Sequence, residues 1–213
     1  MDAIHSEENS FVEEITFNSV NIISFASDSS GSMYPYKDKM VECLEYFRSE
    51  LIKAKDLSKV LLSRADFSSE IFIDRYDDVD YFNTTFVPGG CTTMYDAIVE
   101  CSEDMLTQQK HFNSKGVNTK CIFIMFSDGF ENGSYSKIED ARNVISNMNN
   151  KGIVTIFISF GSEAKVEAEN IGFYNILEVN KSTEDLESVF VNLSKSLIKN
   201  LKQTTIDNGA FFT

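Results

Sequence analysis

The sequence predicts an α/β fold: a doubly wound, mainly parallel central sheet with helices on both faces and one short antiparallel edge strand. Three observations carry that prediction. Apolar runs alternate with helix-period segments along the chain, "CIFIMF" (residues 121–126) is apolar without alternation, and one tight polar turn joins two neighbouring strand-like runs. Alternating strands and helices build parallel sheets. An unbroken apolar run marks a strand covered on both faces, and a short turn between strands makes a hairpin.

The first strand is expected over residues 20–26 and runs into the polar stretch "DSSGSM", residues 28–33. From Met33 onward, Met40, Leu44, Phe47 and Leu51 step by four, three and four, which describes one face of a helix. "KVLLSRADFSS" and "EIFIDRYDD" read as two strands joined at Ser68 and Ser69. After "FVPGG", Met94, Ile98, Cys101 and Met105 repeat the helical step, and "CIFIMF" follows as the central strand. Ser136 with Glu139 has the spacing of a capping box ahead of Ile138, Ala141, Ile145 and Met148. "IVTIFISF" is a further strand, "SEAKVEAENIG" a short helix closing on Gly172, and "NILEV" the last strand. Ser182 and Asp185 then cap a final helix whose apolar face is Leu186, Val189, Phe190, Leu193 and Leu197. This divides the chain into an acidic arm or edge strand (1–17), one domain (18–202) and a flexible tail (203–213).

A chain of 213 residues with 42% apolar content can bury one substantial core. Its 18 phenylalanines are expected there. Against 19 Lys and Arg stand 33 Asp and Glu, a formal charge of −14. A surface of that sign repels phosphate backbones and anionic lipid and concentrates cations, so neither nucleic acid nor membrane is the expected partner. The opening "MDAIHSEENS" has no basic and apolar leader pattern. Cys43, Cys91, Cys101 and Cys121 form no CxxC pair, and three of them fall inside apolar patterns. Reduced thiols in a cytoplasmic protein are therefore expected.

In open α/β sheets ligands collect beyond the carboxyl ends of the strands. Three glycine-bearing loops fall there: "DSSGSM", "PGGCTTMYDA" and "FSDGFENGS". Asp28, Ser30 and Ser32 sit at i, i+2 and i+4, so their oxygens can point to one side, with Gly31 expected to permit the bend. Hard divalent cations take oxygen ligands, and Asp128 in the third loop is placed to add a second carboxylate. Taken singly, each of these residues reads as a turn or helix cap. Three such loops at one edge outweigh that reading. Thr93 with Asp96 also matches a capping box. Glu131 and Asn132 read as residues that support the loop. The three aspartates of "RYDDVDYF" read as a solvated edge that discourages strand pairing.

"DSSGSM", "GGCTTMYDAI" and "MFSDGFENGS" together resemble the von Willebrand factor A domain and its metal-ion-dependent adhesion site. The family pattern is D-x-S-x-S, then a threonine, then an aspartate in successive loops, and the likeness covers residues 19–200. The resemblance implies magnesium or manganese held by Asp28, Ser30, Ser32, Thr92 and Asp128. The serines and threonine would ligate, the aspartates would act directly or through water, and an acidic side chain of a protein partner would complete the coordination. Thr92 is selected over Thr93 because the family's threonine lies five residues before a small apolar residue, here Ala97. The implied function is a non-enzymatic, metal-dependent protein-interaction module, similar to small stand-alone bacterial and phage members. The alternative is a magnesium-dependent phosphotransferase or phosphatase-like enzyme using Asp28 as nucleophile. Against it, Ser30 stands where such enzymes place a second aspartate, and the sequence holds only His5 and His111 and no G-x-S-x-G, P-loop or G-x-G-x-x-G. A third reading, a scaffold whose site has lost its metal, has no missing ligand to point to.

Overall fold

The strands expected to be most deeply buried form the middle of the sheet. In the computed structural model, which describes residues 18–55, 58–129, 131–203 and 211–212, β1 (Ser19–Asp28) lies between β2 (Val60–Phe67) and β5 (Asn118–Ser127) and runs parallel to both. Beyond β5 come β6 (Val154–Phe160) and β7 (Asn175–Val179), also parallel. On the far side of β2 the hairpin strand β3 (Ile71–Ile73) pairs antiparallel, as does β4 (Asp77–Asp78). The sheet is seven-stranded, in the order β3-β2-β1-β5-β6-β7 with β4 beside β2.

Helices α1 (Lys37–Ala54) and α5 (Thr183–Leu201) cover one face, and α2 (Met94–Ser114), α3 (Ile138–Asn150) and α4 (Ser162–Ile171) cover the other. The run "CIFIMF" therefore does alternate, but between two apolar layers. Ile122, Ile124 and Phe126 join the core under α1 and α5, while Cys121, Phe123 and Met125 join the core under α2, α3 and α4. Aromatic rings fill the first layer: Phe25 meets Phe47, Phe82 and Phe190 at centroid separations of 5.5, 6.3 and 6.1 Å. Each such pair adds about 0.5–1.5 kcal/mol beyond area burial.

Several local expectations are corrected. The helix does not start at Met33: a 3-10 segment spans Gly31–Tyr36 with Pro35 inside it, and α1 begins only at Lys37. Proline has no amide hydrogen to give to a regular helical ladder. Ser136 does not cap α3. Its N–H donates to Asp96 Oδ1 at 2.8 Å, and the α3 start is bridged by Asp140, whose Oδ2 accepts from Lys137 N at 2.8 Å. The acidic run does not abolish pairing, because Asp77 and Asp78 oppose Leu62 and Leu61 of β2, and Lys59 Nζ lies 3.0 Å from Asp78. A neighbouring ammonium relieves the charge that would otherwise oppose the ladder. Ser182 caps α5 as expected, its Oγ accepting from Asp185 N at 3.1 Å.

The expected arm, residues 1–17, lies outside the described residues. Within the stretch expected to be a flexible tail, Phe211 is 1% exposed and packs in the first core layer. Its N–H donates to Asn175 Oδ1 at 3.2 Å, and its carbonyl accepts from Asn200 Nδ2 at 3.3 Å. A single large apolar side chain with its backbone groups paired is enough to seat that residue.

From β1 the chain passes through α1 to β2 on one side, and from β5 through α3 to β6 on the other. The direction in which successive strands are added to the sheet thus reverses between β1 and β5. The crevice at their carboxyl ends is the topological switch point, the usual ligand position in such sheets.

Candidate metal centre

Asp28 is the last residue of β1, and Asp128 follows the last residue of β5, so the two carboxylates flank the switch point. Asp28 is fully buried. Its Oδ1 accepts from Ser30 N at 2.9 Å and its Oδ2 from Ser127 Oγ at 2.6 Å. Burial raises its carboxyl above the ordinary value; the bonds from Ser127 and Ser30 pull it back, and the nearby charge of Asp128 raises it again. A positive charge in the crevice would reverse that balance.

Asp128 is only 3% exposed, and its Oδ1 is buried without a hydrogen-bond partner among the described residues. Its Oδ2 lies 3.3 Å from Lys181 Nζ. A buried carboxylate oxygen left unpaired costs free energy, so this atom marks a place built for something more.

The hydroxyls of the first loop sit where the spacing put them. Ser30 Oγ and Ser32 Oγ are 2.9 Å apart, Ser30 buried and Ser32 exposed. Magnesium–oxygen distances of about 2.0–2.1 Å in an octahedron put neighbouring ligands about 2.9–3.0 Å apart, so this pair already has the separation of two adjacent ligands. Ser29 faces away, its Oγ donating to Phe67 O at 3.1 Å. Gly31 is not the residue that makes the bend possible: its φ is not positive, and an added Cβ would stand an ordinary 3.4 Å from Gly90 O. The demanding glycine is Gly129, with φ +95° and a Cβ position only 2.3 Å from Ala164 Cα in α4. That close approach packs the Asp128 loop directly on a helix.

The three loops are stitched to one another through their backbones. Gly89 N donates to Ser29 O at 2.8 Å and Gly31 N to Gly90 O at 3.1 Å, joining the first loop to the second. Thr92, buried, joins the second to the third: its N–H donates to Asn132 Oδ1 at 2.9 Å, and its carbonyl accepts from Asn132 N and Gly133 N. Glu131 folds back to accept from Gly133 N, Ser134 N and Tyr95 N at 2.9, 2.8 and 3.2 Å. Its negative charge therefore sits at the positive end of α2. Thr93 makes no capping bond: Asp96 N donates to Ser134 Oγ at 3.2 Å, the Asp96 carboxylate accepts from Tyr135 N and Ser136 N, and Thr93 Oγ1 is buried without a hydrogen-bond partner among the described residues.

Of the five predicted site residues, Asp28, Ser30 and Ser32 form one bonded cluster, Asp128 stands beside it, and Thr92 sits in the loop bonded to both neighbours. Three contributors were not foreseen. Ser127 holds Asp28 and could have been suspected from the serine of "FSDG". Asp96 pins the third loop. Lys181 arrives from the β7–α5 connection, with no sequence signal at all. No three His, Cys, Asp or Glu side chains cluster as a metal site among the described residues; the donor set here is two carboxylates with hydroxyls, which suits a hard cation rather than a soft one.

Neither a protein-family sequence model nor a curated protein sequence matches this chain. Solved structures match its fold. The pilus adhesin SpaC from Lactobacillus rhamnosus GG superposes with TM-score 0.67 at 12% identity, over 87% of this chain and 31% of that one. The vWF domain of the type V pili tip protein Mfa5 from Porphyromonas gingivalis gives 0.61 at 10% identity, over 89% of this chain and 98% of that one. Proximal thread matrix protein 1 from the mussel byssus, in a structure described as having a zinc-occupied MIDAS motif, gives 0.56 at 17% identity, over 85% of this chain and 46% of that one. This chain thus has the von Willebrand factor A-type fold, and it spans about a third of the length of the SpaC adhesin it matches.

Proposed function

We propose that this chain is a metal-dependent protein-interaction module of the von Willebrand factor A type. Asp28, Ser30, Ser32, Thr92 and Asp128 would hold magnesium or manganese. The bound cation supplies a Lewis-acidic position at the open edge of the sheet, to which a carboxylate of a protein partner can bind. The observation that carries this reading is Asp128 Oδ1, buried without a hydrogen-bond partner among the described residues and beside a second buried carboxylate. The 2.9 Å separation of the Ser30 and Ser32 hydroxyls supports it, as does a structural neighbour whose own MIDAS motif is described as zinc-occupied.

In this reading the residues divide their work. Ser127 and the Ser30 amide fix Asp28, the stitched backbone of residues 89–92 and 132–133 holds the threonine loop, and Gly129 seats the third loop on α4. The phosphotransferase alternative is disfavoured by the same geometry. Asp28 is fully buried with both oxygens already accepting hydrogen bonds, a poor state for a nucleophile that must reach a phosphorus atom. Of the four cysteines, Cys43, Cys101 and Cys121 are buried and Cys91 is exposed. No helix among the described residues is long and apolar enough to cross a membrane.

Titration calorimetry with Mn2+ tests the proposal. Wild-type protein should bind one equivalent, and the Ser30→Ala/Ser32→Ala double variant should lose at least about tenfold in affinity while keeping its melting temperature in EDTA. Absence of Mn2+ binding by the wild-type chain would overturn it.

A further inference from the structure

Lys181 lies in the connection between β7 and α5, far in sequence from the loops that hold the site. Its ammonium stands 3.3 Å from Asp128 Oδ2; the lysine side chain is 34% exposed and that of Asp128 4%. Two features outside the ion pair fix this placement. The Lys181 carbonyl accepts from Tyr36 Oη at 3.2 Å, which ties it to the 3-10 segment following the first loop. Its aliphatic stem crosses the end of β6 at Gly161, where a Cβ would fall 2.6 Å from Lys181 Cε and 3.4 Å from Lys181 Cγ. Gly161 also has φ +109°, so the backbone there both requires glycine and leaves the lysine a channel.

With both carboxylates ionised, Asp28 and Asp128 give the crevice a charge of −2, and Lys181 reduces it to −1. A divalent cation entering such a site meets a net charge of −1 rather than −2, because the ammonium offsets one of the two carboxylates. We propose that Lys181 is a built-in counter-cation of this site: it neutralises Asp128 when no metal is bound and thereby weakens the hold on divalent cations. This rests on the metal-site reading above and adds the group that sets its affinity. An exposed Lys–carboxylate pair would be screened into insignificance. Here the carboxylate is buried, and the lysine is aimed at it by two other contacts.

The test is Mn2+ titration calorimetry on the full chain, wild type against Lys181→Met, Lys181→Gln and Lys181→Arg, with melting of each variant in EDTA. Removing the charge should tighten Mn2+ binding about tenfold in both neutral variants. Lys181→Arg should stay within about threefold of wild type, since it keeps the charge. The neutral variants should also melt lower than wild type in EDTA, because Asp128 loses its counter-charge. Wild-type binding that is unchanged or weakened in both neutral variants overturns the role of Lys181 and leaves the metal site standing. Absence of Mn2+ binding in wild type and variants alike overturns both.

Discussion

Asp28 and Asp128 end neighbouring parallel strands and are almost equally buried, yet they are held in opposite ways. Both oxygens of Asp28 are engaged from within the chain, by Ser30 N and Ser127 Oγ. Asp128 has one oxygen facing a lysine and the other buried without a hydrogen-bond partner among the described residues. One carboxylate is part of the scaffold of the loop. The other is a valence held open by the scaffold. In the metal-site reading proposed above, Asp28 is the fixed anchor and Asp128 the group still free to meet a cation.

The strongest way to break this contrast is at the seat of the open carboxylate. Gly129→Ala would drive a Cβ into the backbone of α4 at a position with φ +95°, and should cost about 3–5 kcal/mol in chemical denaturation. Next comes the anchor. Asp28→Ala strands the buried Ser127 hydroxyl and Ser30 amide, and should cost about 2–4 kcal/mol in addition to abolishing Mn2+ binding. Asp128→Ala should abolish Mn2+ binding too, but at less than about 1 kcal/mol of stability in EDTA. Its Oδ1 has no hydrogen-bond partner among the described residues, and Lys181, the partner of Oδ2, is 34% exposed and keeps its access to water. Equal stability losses for the two aspartates would dissolve the contrast.

A smaller effect appears in the pH dependence of the metal-free protein. Burial lifts the Asp28 carboxyl above its ordinary 3.8, so the folded chain holds that proton more tightly than the unfolded chain. The resulting stability is fully present below about pH 3.8 and is lost as pH rises through the raised folded value. In EDTA, urea midpoints of wild type should therefore fall more steeply with rising pH above 3.8 than those of Asp28→Asn. The smallest effect uses the second loop. Cys91 is exposed, whereas burial pushes the thiols of Cys43, Cys101 and Cys121 up to about 12. One maleimide should react with the native protein, at Cys91, and shift stability by under about 0.5 kcal/mol.

The alternation of apolar runs and helical periods was enough to read the sheet, because each element buries a stripe or face that its own sequence must encode. Local capping was read less well. Ser136 and Thr93 have the right chemistry for capping, but Asp96 holds Ser136, Asp140 bridges the start of α3, and Ser134 takes the amide that Thr93 would need. Such competitions are decided by which loop lies nearest in space, and spacing along the chain does not contain that. The grouping of Asp28, Ser30 and Ser32 was legible because five residues contain it, and the position of Asp128 because it directly follows the apolar run of β5. Lys181 was not, since it reaches Asp128 from a separate connection across a notch at Gly161.

The strand order carries a consequence for synthesis. β1 and β5 are neighbours in the sheet, although the whole β2 hairpin and α2 lie between them in the chain. A nascent chain that has emerged only as far as α2 has made Asp28, both serines and Thr92, but not the strand that brings Asp128 beside them. Long-range parallel pairing is slow to form. A cation would therefore bind late, after the central pair has closed, and its capture would report that the sheet is complete from one edge of the crevice to the other.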